Sequence, residues 1–257
     1  MSNLKIKKPV SLQHINSWRM RRQYLEKPFP SKNILDLVKA VGWIYSPGCS
    51  TPYLALWARM SSFKTEDLNR LVFDDHKLVQ LETLRGTTML VPRDQAAVAL
   101  RIRTRTFTEL SKQARQQMPV SDAEMELLKA GLVKALHNGS KNLQQLATSA
   151  PCDLVRDFSP DLKRIGLTNS LSLAINLLKE EGKVVKVQTR KRLDSIDYSY
   201  ALTSNVLPEV DPFDLRLDEA CTRLAAQYFR AESPVRAKDF AWWAASTSRT
   251  QCVRQAR

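Results

Sequence analysis

The chain has 257 residues, of which 40 are Lys or Arg and 26 are Asp or Glu, for a formal net charge of +14. That length is enough for a well-buried core, in one large domain or in two to three small ones. The charge makes an anionic polymer the leading partner, although a basic surface also serves solubility alone. No stretch approaches the ~20 apolar residues of a membrane span, and the basic opening Met1 to Val10 runs into polar Ser11 to Arg22 where a secretory signal needs an apolar core. Cys49, Cys152, Cys221 and Cys252 stand far apart with no CxxC pair, so the expectation is a soluble cytoplasmic protein with no metal, no cofactor and no required disulfide.

In chain order, Leu12 to Tyr24 reads as helical and stops at Lys27-Pro28-Phe29-Pro30. Ser31 offers an N-cap to an amphipathic helix carrying Ile34, Leu37, Val38 and Val41, which Ser46-Pro47-Gly48 ends as a turn. Thr51-Pro52 restarts a helix through Leu54, Leu56, Trp57 and Met60, with Pro where a first turn tolerates it. A third helix from Thr65, with Leu68, Leu71 and Val72, leads into the extended stretch Leu78 to Val91. Three short helices followed by strands is the order of a winged helix, and also of other small α+β units.

The second half repeats that order. Ser121-Asp122-Ala123-Glu124 is a capping box opening a helix whose buried stripe is Leu128, Leu132, Ala135 and Leu136, stopped by Asn138-Gly139. A second helix spans Asn142 to Thr148, and a third carries Leu171, Ile175 and Leu178 up to Gly182. Lys183 to Gln188 and the alternating Ile196, Tyr198, Tyr200 and Leu202 then form a strand pair around the basic tip Thr189-Arg190-Lys191-Arg192. A helix in a groove and a cationic wing on phosphate is how such a unit binds duplex DNA.

Beyond Pro208 and Pro212, Leu217 to Ala231 is helical and Ser233-Pro234 opens another helix through Trp242-Trp243. From Ser246 to Arg257 no apolar period follows. The expected fold is mostly α with small β wings, an α+β set of tandem winged helix-turn-helix units. The units fall at 11–118, 119–208 and an incomplete 209–245, with a basic tail at 246–257.

Leu84-Arg85-Gly86-Thr87-Thr88-Met89-Leu90-Val91-Pro92 resembles the RGT-x-H-Φ-V-P signature of the AlkZ/YcaQ-like winged-helix DNA glycosylases. Pro52 to Arg59 is similar to the family's first-unit helix, and Ser233-Pro234 with Asp239 to Trp243 to the start of its third unit, so the likeness spans roughly Leu12 to Ala245. The resemblance implies tandem winged helices that grip duplex DNA and hydrolyse the N-glycosidic bond of an alkylated base. It also implies a Gln-x-Gln or Gln-x-Asp before the Pro52 helix, to position water against the anomeric carbon and stabilise the developing cation. Those two positions fall here on Tyr45 and Pro47, around Ser46, and the family's His falls on Met89. A phenol and a proline ring cannot replace an amide or carboxylate. The family's C-terminal β-barrel has no counterpart, as in a truncated copy or a natural short form.

The expectation is therefore a DNA binder related to these glycosylases with little or no catalytic activity. The alternatives are a regulatory or architectural DNA binder and a non-binding remnant. The candidate DNA contacts are Arg85, Arg101, Arg103, Arg105 and the tip Arg190, Lys191 and Arg192, with Lys112 and Arg115 extending the same basic run. A solvated face accounts equally well for the run on the helix, and Arg85 before Gly86 can instead anchor a carbonyl. Of Trp242 and Trp243, at least one reads as core. His14, His76 and His137 are scattered singly and receive no role.

Overall fold

The computed structural model describes residues 10–106, 119–164 and 168–244. Helix α1 (Leu12–Arg22) is capped by the Ser11 hydroxyl, and α2 (Ile34–Val41) buries Ile34, Leu37, Val38 and Val41. The cap of α2 is Asn33 and not Ser31. The Asn33 side-chain oxygen accepts from the Leu35 and Asp36 N–H groups, and the Ser31 hydroxyl accepts from the Asn33 N–H one step upstream. The helix expected to run on to the Ser46-Pro47-Gly48 turn ends at Val41, and a short strand β1 (Ile44–Tyr45) precedes that turn. Helix α3 (Thr51–Trp57) ends before Met60, which is buried from the coil that follows, and α4 (Thr65–Phe73) leads into β2 (Leu78–Glu82) and β3 (Thr88–Pro92). The sheet order is β1-β3-β2, antiparallel throughout, with Gln80 opposite Leu90, Glu82 opposite Thr88 and Tyr45 opposite Met89. Helix α5 (Ala96–Thr106) closes this first segment.

The second segment contains α6 (Asp122–Leu136), α7 (Leu143–Ser149), α8 (Pro160–Arg164), α9 (Ser170–Glu180), the hairpin β4 (Val184–Gln188) and β5 (Tyr198–Leu202), and the single turn α10 (Thr203–Val206). The Ser121–Glu124 capping box is formed, and Asn142 with Gln145 makes a second at α7. The hairpin register places Lys186 opposite Tyr200 and Gln188 opposite Tyr198. In the third segment α11 (Leu217–Glu232) is followed by α12 (Ala237–Trp243), which starts three residues after Pro234 from its N-cap Arg236. The expected basic tail at 246–257 lies outside the described residues.

Among the described residues, two of four apolar clusters keep mainly to one segment. One packs α2, α3, α4 and the sheet, and the other packs α6, α7 and α9 against the hairpin. The other two join segments. Val79, Leu81, Val91, Ala96, Ala99 and Leu100 of the first segment pack with Val185 and Leu207 of the second. Leu84, Val98 and Ile102 pack with Leu215, Ala220, Cys221, Leu224, Ala225 and Phe240 of the third. Cys221 is disulfide-bonded, a constraint that the cysteine spacing does not require. The segments are thus not beads on a string, because each must dock to complete its neighbour's core.

The hairpin tip makes the docking tighter still. Leu193, beyond the cationic residues, is fully buried in the first segment's cluster, and its backbone N–H donates to the Tyr53 hydroxyl at 2.9 Å. The Tyr53 hydroxyl donates in turn to Asn69 at 2.6 Å. The tip is therefore a strap across the first segment.

Candidate functional site

Between the first sheet and the second hairpin lies a pocket of about 180 Å3, lined in part by Ser46, Pro47, Gln80, Lys186, Gln188 and Tyr198. One wall is the loop after β1. Ser46 is buried and donates its N–H to the Thr88 carbonyl at 2.9 Å. Gly48 adopts a φ of +88°, and a Cβ there would stand 3.0 Å from the Ser195 carbonyl of the β4–β5 connection. Only glycine suits both the backbone conformation and that approach.

The pocket's polar wall is a relay of two glutamines from segments 108 residues apart. The Gln80 amide nitrogen donates to the Ser46 carbonyl at 2.8 Å and lies 2.9 Å from the Ser46 hydroxyl. Because a carbonyl only accepts, this fixes the orientation of the Gln80 amide. Its oxygen then accepts from the Gln188 amide nitrogen at 3.0 Å, and the Gln188 Oε1 is buried with no hydrogen-bond partner. Tyr198, opposite Gln188 in the hairpin, adds an aromatic ring whose centre lies 4.4 Å from Lys186 Nζ.

Two residues beyond Gln80, Glu82 is the anion of a buried charge cluster. Its Oε1 accepts from Lys186 at 2.9 Å, and its Oε2 from Lys179 at 2.7 Å and Arg103 at 3.0 Å. Burial pushes the Glu82 carboxyl up, but Lys179, Arg103 and Lys186 outweigh it and hold the group down at about 2. Burial pushes Lys179 the other way for an amine, down to about 8, against the pull of Glu82. Glu82 and Arg103 come from the first segment and Lys179 and Lys186 from the second, so the cluster is also a joint.

The positions singled out in the sequence separate into distinct environments. Tyr45 is cross-strand partner to Met89, and both Tyr45 and Pro47 are exposed. Arg103, expected to face DNA, is instead 2% exposed and bound to Glu82, so in this conformation it cannot reach a phosphate. Arg101 donates to the Leu215 carbonyl at 3.0 Å and lies 5.1 Å from the Phe213 ring centre, which ties α5 to the third segment. Arg85 takes a φ of 58° and stands exposed 5.3 Å from the ring centre of Trp242, which is 74% exposed, whereas Trp243 packs against the third cluster. The Arg105 side chain, Lys112 and Arg115 lie outside the described residues.

The tip cations are exposed, yet each has an acid. Arg190 pairs with Asp197 at 3.2 Å, Lys191 with Asp74 at 2.5 Å and Arg192 with Asp194 at 2.7 Å. The sequence reading missed Gln80, Glu82, Lys179, Lys186, Gln188 and Tyr198. Gln80 and Glu82 alternate with apolar Val79 and Leu81, which reads as an ordinary half-solvated strand. Their partners lie about a hundred residues away.

Helical segments closed by small antiparallel sheets, docked through shared cores around a polar pocket, define the class: a mostly α protein of compound build. The chain belongs to the AlkZ-like DNA glycosylase family, whose model, described as "DNA glycosylase AlkZ-like", matches residues 38–257. The fold is similar to that of a Streptomyces sahachiroi DNA glycosylase, AlkZ, with a TM-score of 0.69 and 20% sequence identity. That likeness covers 95% of this chain and 63% of that one. A comparison with curated proteins gives no match.

Proposed function

We propose that this chain is a cytoplasmic duplex-DNA binder related to base-excision glycosylases, and that it excises alkylated bases at or near the uncatalysed rate. In this reading the three segments are winged-helix units that lay the pocket against DNA, and the net charge of +14 supplies a sequence-independent attraction. The carrying observation is the pair Tyr45 and Pro47 at the positions where the family places an amide and an amide or carboxylate. Neither side chain accepts a water proton as a general base at neutral pH. Glu82 does not substitute for them, because both its oxygens are engaged by cations and its carboxyl is held at about 2, far below the near-neutral value that suits a general base.

Losing a positioned general base costs about 10²–10⁴-fold in rate. The test incubates the protein with a duplex carrying N7-alkylguanine and cleaves any abasic sites with alkali, beside a variant carrying Tyr45→Gln and Pro47→Gln. The expected result is background scission by the unaltered chain and a gain in the double variant. Robust scission by the unaltered chain sinks the proposal.

A further inference from the structure

We infer that a larger cavity, walled by α4 and α10 at the joint between the first two segments, is a receptor for a neutral, largely apolar small molecule that carries a hydrogen-bond donor. The inference does not depend on DNA binding. Three observations carry it.

The first is the cavity itself. It measures about 520 Å3, within the ~300–1,000 Å3 of small-molecule sites. Both segments build it. Val72 and Phe73 of α4 and Leu81 of β2 come from the first, and Val185 of β4 and Val206 of α10 from the second. It borders the same two strands as the smaller pocket, but its other walls are α4 and α10 and not the loop after β1. Val72, Leu81 and Val185 are themselves buried, and their side chains offer water no hydrogen bond. Apolar space of this kind holds water poorly and favours an apolar occupant.

The second is charge. Arg93 and Lys186 stand in the wall, and each is already matched. Arg93 pairs with Glu209 at 2.6 Å and also donates to the Val206 carbonyl at 3.1 Å, while Lys186 pairs with Glu82 at 2.9 Å. A charged ligand would be desolvated there and would have to break one of these pairs to gain a counter-ion. The occupant is therefore neutral.

The third is Gln188, which also lines the cavity. The Ser46 carbonyl fixes the Gln80 amide and Gln80 fixes that of Gln188, so the group left over is an acceptor and not a donor. Its Oε1 is buried with no hydrogen-bond partner among the described residues. A buried acceptor in that state carries a desolvation cost that a ligand N–H or O–H relieves. Because the relay is anchored at buried Ser46, the acceptor is held in place before any ligand arrives.

The test uses the full chain and N-phenyl-1-naphthylamine, a neutral diarylamine with one N–H whose fluorescence rises in apolar surroundings. Its N-methyl derivative, which lacks the donor, is the comparison. A saturable rise is expected, with the parent amine bound about two- to tenfold more tightly than the methylated one, the range of one neutral hydrogen bond. Gln188→Leu should bring the two affinities together. Asn205→Trp and Val206→Trp, which bring a bulky ring to the α10 wall, should each weaken binding by about tenfold or more while the thermal melt stays cooperative. A rise that does not saturate, or that survives both Trp variants, assigns the dye to the exposed surface and overturns the cavity as a receptor. Equal affinities for the two amines in the unaltered chain, or a preference that persists in Gln188→Leu, overturn the donor requirement and with it the assigned ligand class. The amine comparison changes the ligand and not the protein, so it decides even where a variant fails to fold.

Discussion

Replacing Glu82 by Gln keeps the side chain's shape and removes the one anion that Arg103, Lys179 and Lys186 share. In the intact cluster two displacements oppose each other. Holding the carboxyl at about 2, from 4.5, corresponds to about 3 kcal/mol in favour of the folded state at neutral pH. Holding Lys179 at about 8, from 10.5, corresponds to about 3 kcal/mol against it. The near cancellation is what a buried ion cluster gives: little net stability while intact. Removing the anion breaks the balance, since Arg103 at 2% exposure and Lys179 at 5% become like charges with no carboxylate between them. The expected loss is about 3–5 kcal/mol, or about 6–20 °C in Tm for a chain of this size. Thermal and urea unfolding at pH 7 measure it, and adding Lys179→Met to Glu82→Gln should restore part of the loss. The pH profile gives an independent check. Because the folded carboxyl lies below its unfolded value, Glu82's contribution is complete above about pH 4.5 and is lost as pH falls toward 2, and the Gln variant lacks that arm. A Glu82→Gln protein within 1 kcal/mol of the parent refutes the cluster as the joint between segments.

Leu193→Ala should cost about 2–5 kcal/mol in urea unfolding, the range for emptying a buried leucine site, although the residue directly follows the exposed cationic tip. Gly48→Ala should cost about 1 kcal/mol or more, since the φ of +88° disfavours any side chain and the added Cβ meets the Ser195 carbonyl at 3.0 Å. A Gly48→Ala protein as stable as the parent refutes that close approach.

Local signals carried the fold because they are written within a few residues of one another. The capping box at Ser121 and Glu124 and the apolar stripe of α2 each depend on neighbours in sequence, and both elements stand where those signals put them, whereas β5 begins at Tyr198, with Ile196 exposed ahead of it and the four residues after Tyr198 all buried. Errors arose where the deciding contact is distant. Ile44 and Tyr45 read as the end of the helix before the Ser46-Pro47-Gly48 turn because their partner strand lies more than forty residues later. Arg103 read as surface because the burial that claims it is completed by α9, whose Lys179 shares its carboxylate. The site was the least legible part, for the same reason. Gln80 and Gln188 are unremarkable polar residues on two strands until docking joins them.

The hairpin tip shows how that docking alters a DNA-binding prediction. Arg190, Lys191 and Arg192 together read as three phosphate contacts, and each neutralised phosphate contributes about 0.9 to the salt slope. Three free cations would therefore account for about 2.7 of it. In the folded chain each instead faces a carboxylate, Asp197, Asp74 or Asp194, so the tip presents no net charge to an approaching phosphate. Exposed pairs of this kind are worth about 0–1 kcal/mol, weak enough to exchange, but an exchanged cation leaves its acid beside the DNA. Changing all three cations to Gln should therefore weaken binding on all duplex sequences alike while flattening the slope by only about one phosphate's worth. Changing Asp74, Asp194 and Asp197 to Asn should do the reverse, tightening binding and steepening the slope. Anisotropy titrations across a salt series read both. A loss of the full 2.7 in the Gln variant would show the tip leaving its acids to bind DNA and refute the strap as the bound state, and a loss confined to some sequences would assign the tip to base readout.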